Sequence, residues 1–219
     1  TKSNYKTIRN KRLKVKIGMI LLAAGYSRRF GSNKLLYKIE GKSMYLCSLE
    51  RLLEVQRKMK KVYLGPKEKA TGIDDKEKII VAAAVVTQYE EIQKNAESMG
   101  VQVILNPHPA EGIASSMKLG LAEFSDTDAC LFSVADQPWL KAETVIKLVK
   151  LFLDSGKGIA CLSENGVPGN PCIFSRKYYP ELMELTGDRG GKRVLNKHLE
   201  DTAFLEAENS RELRDLDCF

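Results

Sequence analysis

A short, nearly continuous apolar run from residue 16 to residue 23, KIGMILLA, constrains the fold of this chain more than any other feature. Successive side chains of a strand point to opposite faces of a sheet, so an unbroken apolar run predicts a strand buried on both faces. Burial on both faces requires helices above and below the sheet, and this arrangement is typical of parallel sheets. The run therefore predicts a central strand, and Gly25 marks the loop that follows it.

Similar apolar runs alternate with amphipathic segments along the rest of the chain. Three of these runs predict further buried strands, at residues 79–86, 101–105 and 129–135. Shorter strands are expected on either side of a loop over residues 163–170, at residues 158–162 and 171–174. Helices are predicted where apolar residues recur at helical spacing, over residues 43–59, 88–99, 115–124, 141–153 and 176–185.

This order predicts an α/β fold: a three-layer α/β/α sandwich around a mostly parallel, Rossmann-like sheet, with a small β-rich addition formed by the shorter strands. Ligands of such sheets bind beyond the carboxyl ends of the strands. The polar segment 60–78 fits no core element. We interpret it as a peripheral insertion, within which residues 61–64 could form a short edge strand.

The net charge of +7 comes from one end of the chain. Seven of the 35 Lys and Arg residues lie in residues 1–16, where there is no acidic residue, so the remaining bases balance the 28 Asp and Glu residues. We predict a disordered or tag-like tail over residues 1–15 and a single domain over residues 16–219. Because only this short tail is basic, a nucleic-acid-binding function is not expected.

The composition indicates where in the cell the protein is expected and which kind of metal site it could form. The five cysteines are an odd number without C-x-x-C spacing, which is typical of reduced thiols in a cytoplasmic protein. No apolar stretch approaches the ~20 residues of a membrane-spanning helix, so no membrane association is expected. With two histidines, no cluster has the spacing of a zinc site, so a bound metal ion would need oxygen ligands.

The loop after the first strand carries the strongest chemical signal. It holds the glycines Gly25 and Gly31, which permit the positive φ angles of an anion-binding nest, and cationic side chains at Arg28, Arg29 and Lys34. It lacks both the Gly-Lys-Ser/Thr of a Walker A loop and G-x-G-x-x-G. These residues predict a phosphate-binding loop; a turn with solvated basic side chains is the alternative.

The string L-A-A-G-x-S-x-R-x-G-x-x-K over residues 22–34 resembles the signature loop of nucleotidyltransferases with a GT-A-like fold. Three further segments resemble motifs of the molybdenum cofactor cytidylyltransferases in matching order: N-P with G-I-A-S-S at 106–116, A-D-Q-P at 135–138, and L-T-G-D-R-G-G-K-R at 185–193. The chain is therefore similar to this family from about residue 19 to its end.

This resemblance implies roles for individual residues. Arg29 and Lys34 would bind the phosphates of an NTP, and Asp136 would hold Mg²⁺. The other residues expected to bind the nucleotide are Leu22, Ala23, Ala24, Gly25, Ser27, Gly31 and Ser115. A carboxylate at a strand end, in a turn fixed by Pro138, independently suits a divalent cation, although Asp136 could instead cap the next helix.

The resemblance gives candidates for a second metal ligand and for the acceptor site, although the sequence departs from the family motifs at these positions. Asp217 is the candidate second ligand and Asp215 the alternative, because 215–219 resembles the opening of a C-terminal D-T-P-E-D segment with Cys218 and Phe219 at unusual positions. The residues expected to bind the acceptor are Asn170, Asp188 and Arg193. The family has histidine in G-H-P where Asn170 stands, and Asp188 and Arg193 could simply pair across a turn.

The resemblance implies transfer of CMP from CTP to the terminal phosphate of molybdopterin with release of pyrophosphate. The product would pass to a molybdenum hydroxylase. Enzyme alternatives are GTP as donor, or a sugar or polyol phosphate as acceptor. A nucleotide-binding or cofactor-binding accessory protein without turnover is the alternative from another class.

Overall fold

The fold is built around the strand that the sequence places at the centre. The computed structural model describes residues 15–26, 33–64 and 79–216. Strand β1 (Val15–Ala23) pairs in parallel with β4 (Ile79–Thr87) on one side and with β6 (Ala129–Val134) on the other. Its side chains alternate between two hydrophobic cores, with Met19 and Leu21 in one and Ile20 and Leu22 in the other. The prediction of a central strand buried on both faces is confirmed.

Within the described residues, seven strands form one sheet in the order β5-β4-β1-β6-β8-β7-β9. The remaining members are β5 (Gln102–Leu105), β7 (Ile159–Glu164), β8 (Val167–Ser175) and β9 (Thr202–Glu206). Pairing is parallel except on the two sides of β8, which runs antiparallel to both β6 and β7. The sheet is therefore mostly parallel. The shorter strands predicted as a β-rich addition belong to it, while β2 (Lys38–Ile39) and β3 (Lys42–Ser43) form a separate hairpin.

Helices cover both faces of this sheet. The helices on one face are α1 (Met44–Leu64), α2 (Glu90–Ser98) and α4 (Ala142–Ser155). Those on the other face are α3 (Ile113–Glu123), α5 (Tyr179–Met183) and α6 (Lys192–Lys197). The predicted three-layer sandwich is confirmed. Within the described residues, no helix combines the length and apolarity needed to cross a membrane.

Two local predictions are wrong. Residues 61–64, interpreted as a possible edge strand, continue helix α1 to Leu64. Residues 163–170, predicted as a loop, are mostly strand, because β7 runs to Glu164 and β8 starts at Val167. The two residues between them, Asn165 and Gly166, have φ of 51° and 75°, as a type I′ hairpin turn requires. Residues 65–78 and the tail up to residue 14 lie outside the described residues, while Val15, predicted as the end of the tail, begins β1.

A carboxylate fixes the outer end of the sheet, where β9 begins. Asp201 accepts hydrogen bonds from the Tyr178 hydroxyl at 2.5 Å and, as an ion pair, from Lys177 at 2.7 Å. Burial acts to raise the pKa of this carboxyl. The hydrogen bonds from Lys177, Tyr178 and the backbone N–H of Gly158 outweigh burial and lower the pKa to about 2, from an ordinary value of 3.8.

Because the folded pKa lies below the ordinary value, Asp201 contributes stability above pH 4, and this contribution is lost as the pH falls towards 2. We expect Asp201→Asn to lower the free energy of unfolding by about 1 kcal/mol at pH 7, allowing for solvent screening, and by less at pH 3. Urea unfolding of both proteins at the two pH values measures this difference. An equal loss at both values would show that the charge of Asp201 does not contribute.

Candidate functional site

A cavity of about 350 Å³ opens at the carboxyl ends of β1 and β6. Strand β4 lies on one side of β1 and β6 on the other, so the strand order reverses at β1. Ligands of α/β sheets bind beside such a reversal point, beyond the carboxyl ends of the strands. The lining residues come from five parts of the chain: Leu22, Ala24, Gly25 and Tyr26; Lys34 and Leu35; Pro109, Ala110, Gly112, Ile113 and Ser116; Val134, Ala135 and Asp136; and Asp188.

An ion pair lies in this cavity. The Lys34 ammonium is 2.7 Å from Oδ2 of Asp136, and the two side chains are 15% and 21% exposed. Lys34 begins a short 3₁₀ turn that is capped by the Asn33 side chain and anchored by the buried Leu35. The pair therefore brings together two residues predicted to act on the NTP and on its metal ion.

The other carboxylate oxygen of Asp136, Oδ1, is buried and has no hydrogen-bond partner among the described residues. An unpaired buried oxygen of this kind carries a desolvation cost that a bound cation would remove. The alternative role for Asp136, capping of the next helix, is not observed, because Lys141 occupies the cap position of α4 without a side-chain cap bond. The carboxylate thus fits a divalent-cation ligand better than a structural cap.

No group of three or more His, Cys, Asp or Glu side chains that could hold a metal ion occurs within the described ranges 15–26, 33–64 and 79–216. Mg²⁺ commonly binds to one or two carboxylates and completes its shell with water and substrate phosphates. On this part of the chain Asp136 could therefore hold Mg²⁺ with water and substrate phosphates as the remaining ligands. Asp217, the candidate second ligand, lies outside the described residues, and Asp215 lines a neighbouring pocket.

The backbone after β1 is held by side chains at the end of β4. The carbonyl oxygens of Ala23, Ala24 and Gly25 accept hydrogen bonds from three consecutive residues: Thr87 Oγ1 at 2.9 Å, Gln88 Nε2 at 2.7 Å and the Tyr89 hydroxyl at 2.7 Å. Burial raises the pKa of Tyr89. These bonds fix the conformation of the loop start. They could not be predicted from the sequence, because nothing in residues 87–89 marks them as partners of the loop.

The opposite wall is the segment that leads into α3. Asn106 is 3% exposed and donates hydrogen bonds to the hydroxyls of Ser115 and Ser116, each at 2.9 Å. Gly112 has φ of +81°, and a Cβ there would collide with the backbone of Gly187. This position therefore requires glycine, which brings the turn containing Asp188 against the cavity wall.

The predicted site residues are only partly brought together. Leu22, Ala24 and Gly25 line the cavity, whereas Ala23 is buried beside them. Ser115 lines an adjacent depression, and Ser116, the second serine of the same motif, lines the cavity. The remaining candidates of the signature loop, Ser27, Arg29 and Gly31, lie outside the described residues.

The three acceptor candidates lie in different places. Asp188 lines the main cavity. Asn170 lines a second pocket of about 330 Å³ together with Gln137 and Asp215, and Arg193 lines a smaller one of about 150 Å³. Gln137 directly follows Asp136, which lines the main cavity. The structure therefore places the three acceptor candidates in three different pockets.

The fold and this site define an α/β protein with a cavity at the carboxyl edge of a mostly parallel sheet, beside a paired lysine and aspartate. Residues 19–202 match the MobA-like NTP transferase domain, and the chain belongs to this family of nucleotidyltransferases. The resemblance to molybdenum cofactor nucleotidyltransferases is thereby confirmed.

Individual relatives agree with this assignment. The chain is 28% identical over 199 residues to the purine catabolism protein PucB of Bacillus subtilis, and 90% of each chain is covered. It is 30% identical over 181 residues to a probable molybdenum cofactor guanylyltransferase of Pyrococcus horikoshii, covering 80% of this chain and 76% of that one. The fold is similar to that of Rv0371c from Mycobacterium tuberculosis, with a TM-score of 0.62, 20% identity and 89% of each chain covered. Rv0371c has also been solved in complex with manganese.

Proposed function

We propose that this protein transfers CMP from CTP to the terminal phosphate of molybdopterin in the cytoplasm and releases pyrophosphate. The observation that carries the proposal is the Lys34–Asp136 pair in a cavity at the carboxyl ends of β1 and β6. In this proposal the product is passed to a molybdenum hydroxylase. The relatedness to molybdenum cofactor guanylyltransferases supports the acceptor, and the resemblance of the segments at 106–116, 135–138 and 185–193 to those of molybdenum cofactor cytidylyltransferases supports CTP as donor.

In the reaction, an oxygen of the acceptor phosphate forms a bond to the α-phosphorus of the NTP. The bond from that phosphorus to the bridging oxygen breaks, and its electron pair leaves with pyrophosphate. The attacking phosphate is already anionic at neutral pH, so no strong general base is needed. Catalysis then depends on holding the two reactants in line and on stabilising the negative charge that moves to the leaving group.

The side chains of the cavity fit this task. The Lys34 ammonium would leave Asp136 for the phosphates and stabilise charge on the leaving pyrophosphate. Asp136, with an unpaired buried oxygen, would hold Mg²⁺. When bound, Mg²⁺ supplies Lewis-acid stabilisation of the phosphate oxygens. The manganese complex of Rv0371c shows that a protein of this fold can bind a divalent cation.

A pyrophosphate-release assay tests the proposal. Each of the four NTPs is incubated with Mg²⁺ and with molybdopterin, a sugar phosphate or a polyol phosphate. We expect release to require molybdopterin and to be fastest with CTP. Fastest release with GTP would establish the guanylyl donor, which the names of several relatives favour. Release with a sugar phosphate or polyol phosphate, and not with molybdopterin, would identify a different acceptor. Tight NTP binding without pyrophosphate release from any donor–acceptor pair would show an accessory protein.

A further inference from the structure

Arg51 is a buried cation near the cavity with no role in the reaction described above. It lies on α1 and is 7% exposed. Its Nη1 donates to the carbonyl oxygens of Gln137, at 2.9 Å, and Leu140, at 2.6 Å, and its Nη2 donates to Ser48 Oγ at 2.5 Å. Ser48 Oγ in turn donates to the carbonyl oxygen of Ala135 at 3.2 Å. Helix α1 thus binds three carbonyls of residues 135–140, the turn that carries Asp136.

The guanidinium is held at a cost. Burial is the main cause that lowers the pKa of Arg51 to about 10, so the group is still charged at neutral pH. No carboxylate lies within ion-pair distance of it among the described residues, and its donors bind backbone and hydroxyl oxygens instead. Apolar side chains usually stabilise a core at least as well as a buried charge does. The contacts of Arg51 therefore point to a requirement for one particular shape of the turn.

The C-terminal segment holds the same turn from another direction. Glu212 is 1% exposed and accepts a hydrogen bond from the backbone N–H of Lys141 at 3.1 Å. The Gln137 amide donates to the carbonyl oxygen of Leu213 at 3.1 Å, and the N–H of Leu216 donates to the carbonyl oxygen of Asp136 at 3.2 Å. The turn is therefore fixed between α1 and residues 212–216.

We propose that Arg51 is a positioning residue for Asp136. Its Nη1 fixes the backbone on the carboxyl side of Asp136, at residues 137 and 140, and its Nη2 holds Ser48, which fixes the residue before Asp136. The Asp136 carboxylate is thereby kept opposite Lys34, in the place from which it can bind a divalent cation and an NTP together. This inference rests on the proposed function, because the cation and the NTP are the ligands for which the carboxylate is positioned.

Arg51→Lys tests the proposal, because an ammonium keeps the charge but has a single nitrogen, which cannot bind the two carbonyls and Ser48 Oγ as Nη1 and Nη2 do together. Arg57→Lys is the matched control, since Arg57 lies on the same helix and is exposed. Ser48→Ala is a milder second variant that removes the hydroxyl link to Ala135. Thermal unfolding shows whether each variant is folded.

The primary readout is Mn²⁺ binding in the presence of CTP, followed by the paramagnetic resonance signal of free Mn²⁺, with kcat and KM measured alongside. In Arg51→Lys we expect the Kd for Mn²⁺ to rise about tenfold and kcat to fall about tenfold, as for other residues that orient metal ligands. The KM for CTP should change less than twofold, and Arg57→Lys should match the wild type. In Ser48→Ala we expect the Kd for Mn²⁺ to rise about threefold and kcat to fall about threefold. If Arg51→Lys does not fold, Ser48→Ala is the variant that tests the proposal.

Folded variants that bind Mn²⁺ with wild-type affinity would overturn the positioning role, whatever their stability. Failure of the proposed function is distinguishable from this result. In that case the wild type itself would bind Mn²⁺ and CTP without releasing pyrophosphate, and the comparison of Mn²⁺ affinities would still show whether Arg51 positions Asp136.

Discussion

Replacing Asp136 with Asn is expected to lower kcat for pyrophosphate release by about 10² or more, with the protein still folded. The change keeps the shape of the side chain and removes its charge. A neutral amide is a much weaker ligand for Mg²⁺, and the buried Oδ1 position would no longer attract a cation. Steady-state kinetics over a range of Mg²⁺ concentrations measure the effect, which should persist at saturating CTP because it concerns the transition state.

Asp154→Asn is the matched control for this variant. Asp154 is an exposed aspartate of α4, and it lines none of the four pockets described above that contain predicted site residues. Its replacement should leave kcat within twofold of the wild type. If Asp136→Asn turned over as fast as this control at low Mg²⁺, the assignment of the metal ligand would be wrong.

Replacing Lys34 with Met is expected to lower kcat by about 10² and to raise the KM for CTP, since the ammonium would bind the phosphates in both the ground state and the transition state. The same replacement should not weaken the binding of a divalent cation to the protein without nucleotide. In the structure Lys34 occupies Oδ2 of Asp136 at 2.7 Å, so its removal frees that oxygen. Without nucleotide, Lys34→Met should therefore bind Mn²⁺ at least as tightly as the wild type.

This pairing of results separates a role in binding phosphate from a role in folding. A misfolded cavity would lose Mn²⁺ binding and turnover together. Lys94→Met, which removes an exposed lysine of α2 that pairs only locally with Glu90, serves as the control. Wild-type turnover in Lys34→Met would contradict the account of the phosphate site.

The main strands were predictable because burial on both faces leaves an unmistakable pattern. The run in β1 and the β-branched run in β4 have few polar residues, so neither can be a surface element. The hairpin between β7 and β8 was missed although Asn165-Gly166 is a strong signal for a two-residue turn. Most residues of 163–170 are polar or small, so the strand ends beside the turn lack the apolar pattern that marks a buried strand.

Candidate site residues that belong to a sequence motif could be predicted. Those whose position depends on contacts with residues distant in the sequence could not. Lys34 and Asp136 were both identified, and the structure places them 2.7 Å apart. The motif pointed to both Ser115 and Ser116 and favoured Ser115, because the choice between the two serines depends on how α3 is rotated, which Asn106 fixes through its two hydrogen bonds. Arg51 was missed because its partners are backbone carbonyls 86 and 89 residues away in the chain.

A crystal structure with Mg²⁺ and a non-hydrolysable CTP analogue tests the central claim most directly. The account predicts a cation about 2.0–2.1 Å from Oδ1 of Asp136, with the triphosphate between Lys34 and the backbone at residues 24–25. A nucleotide bound outside this cavity, or a cation that does not touch Asp136, would contradict it.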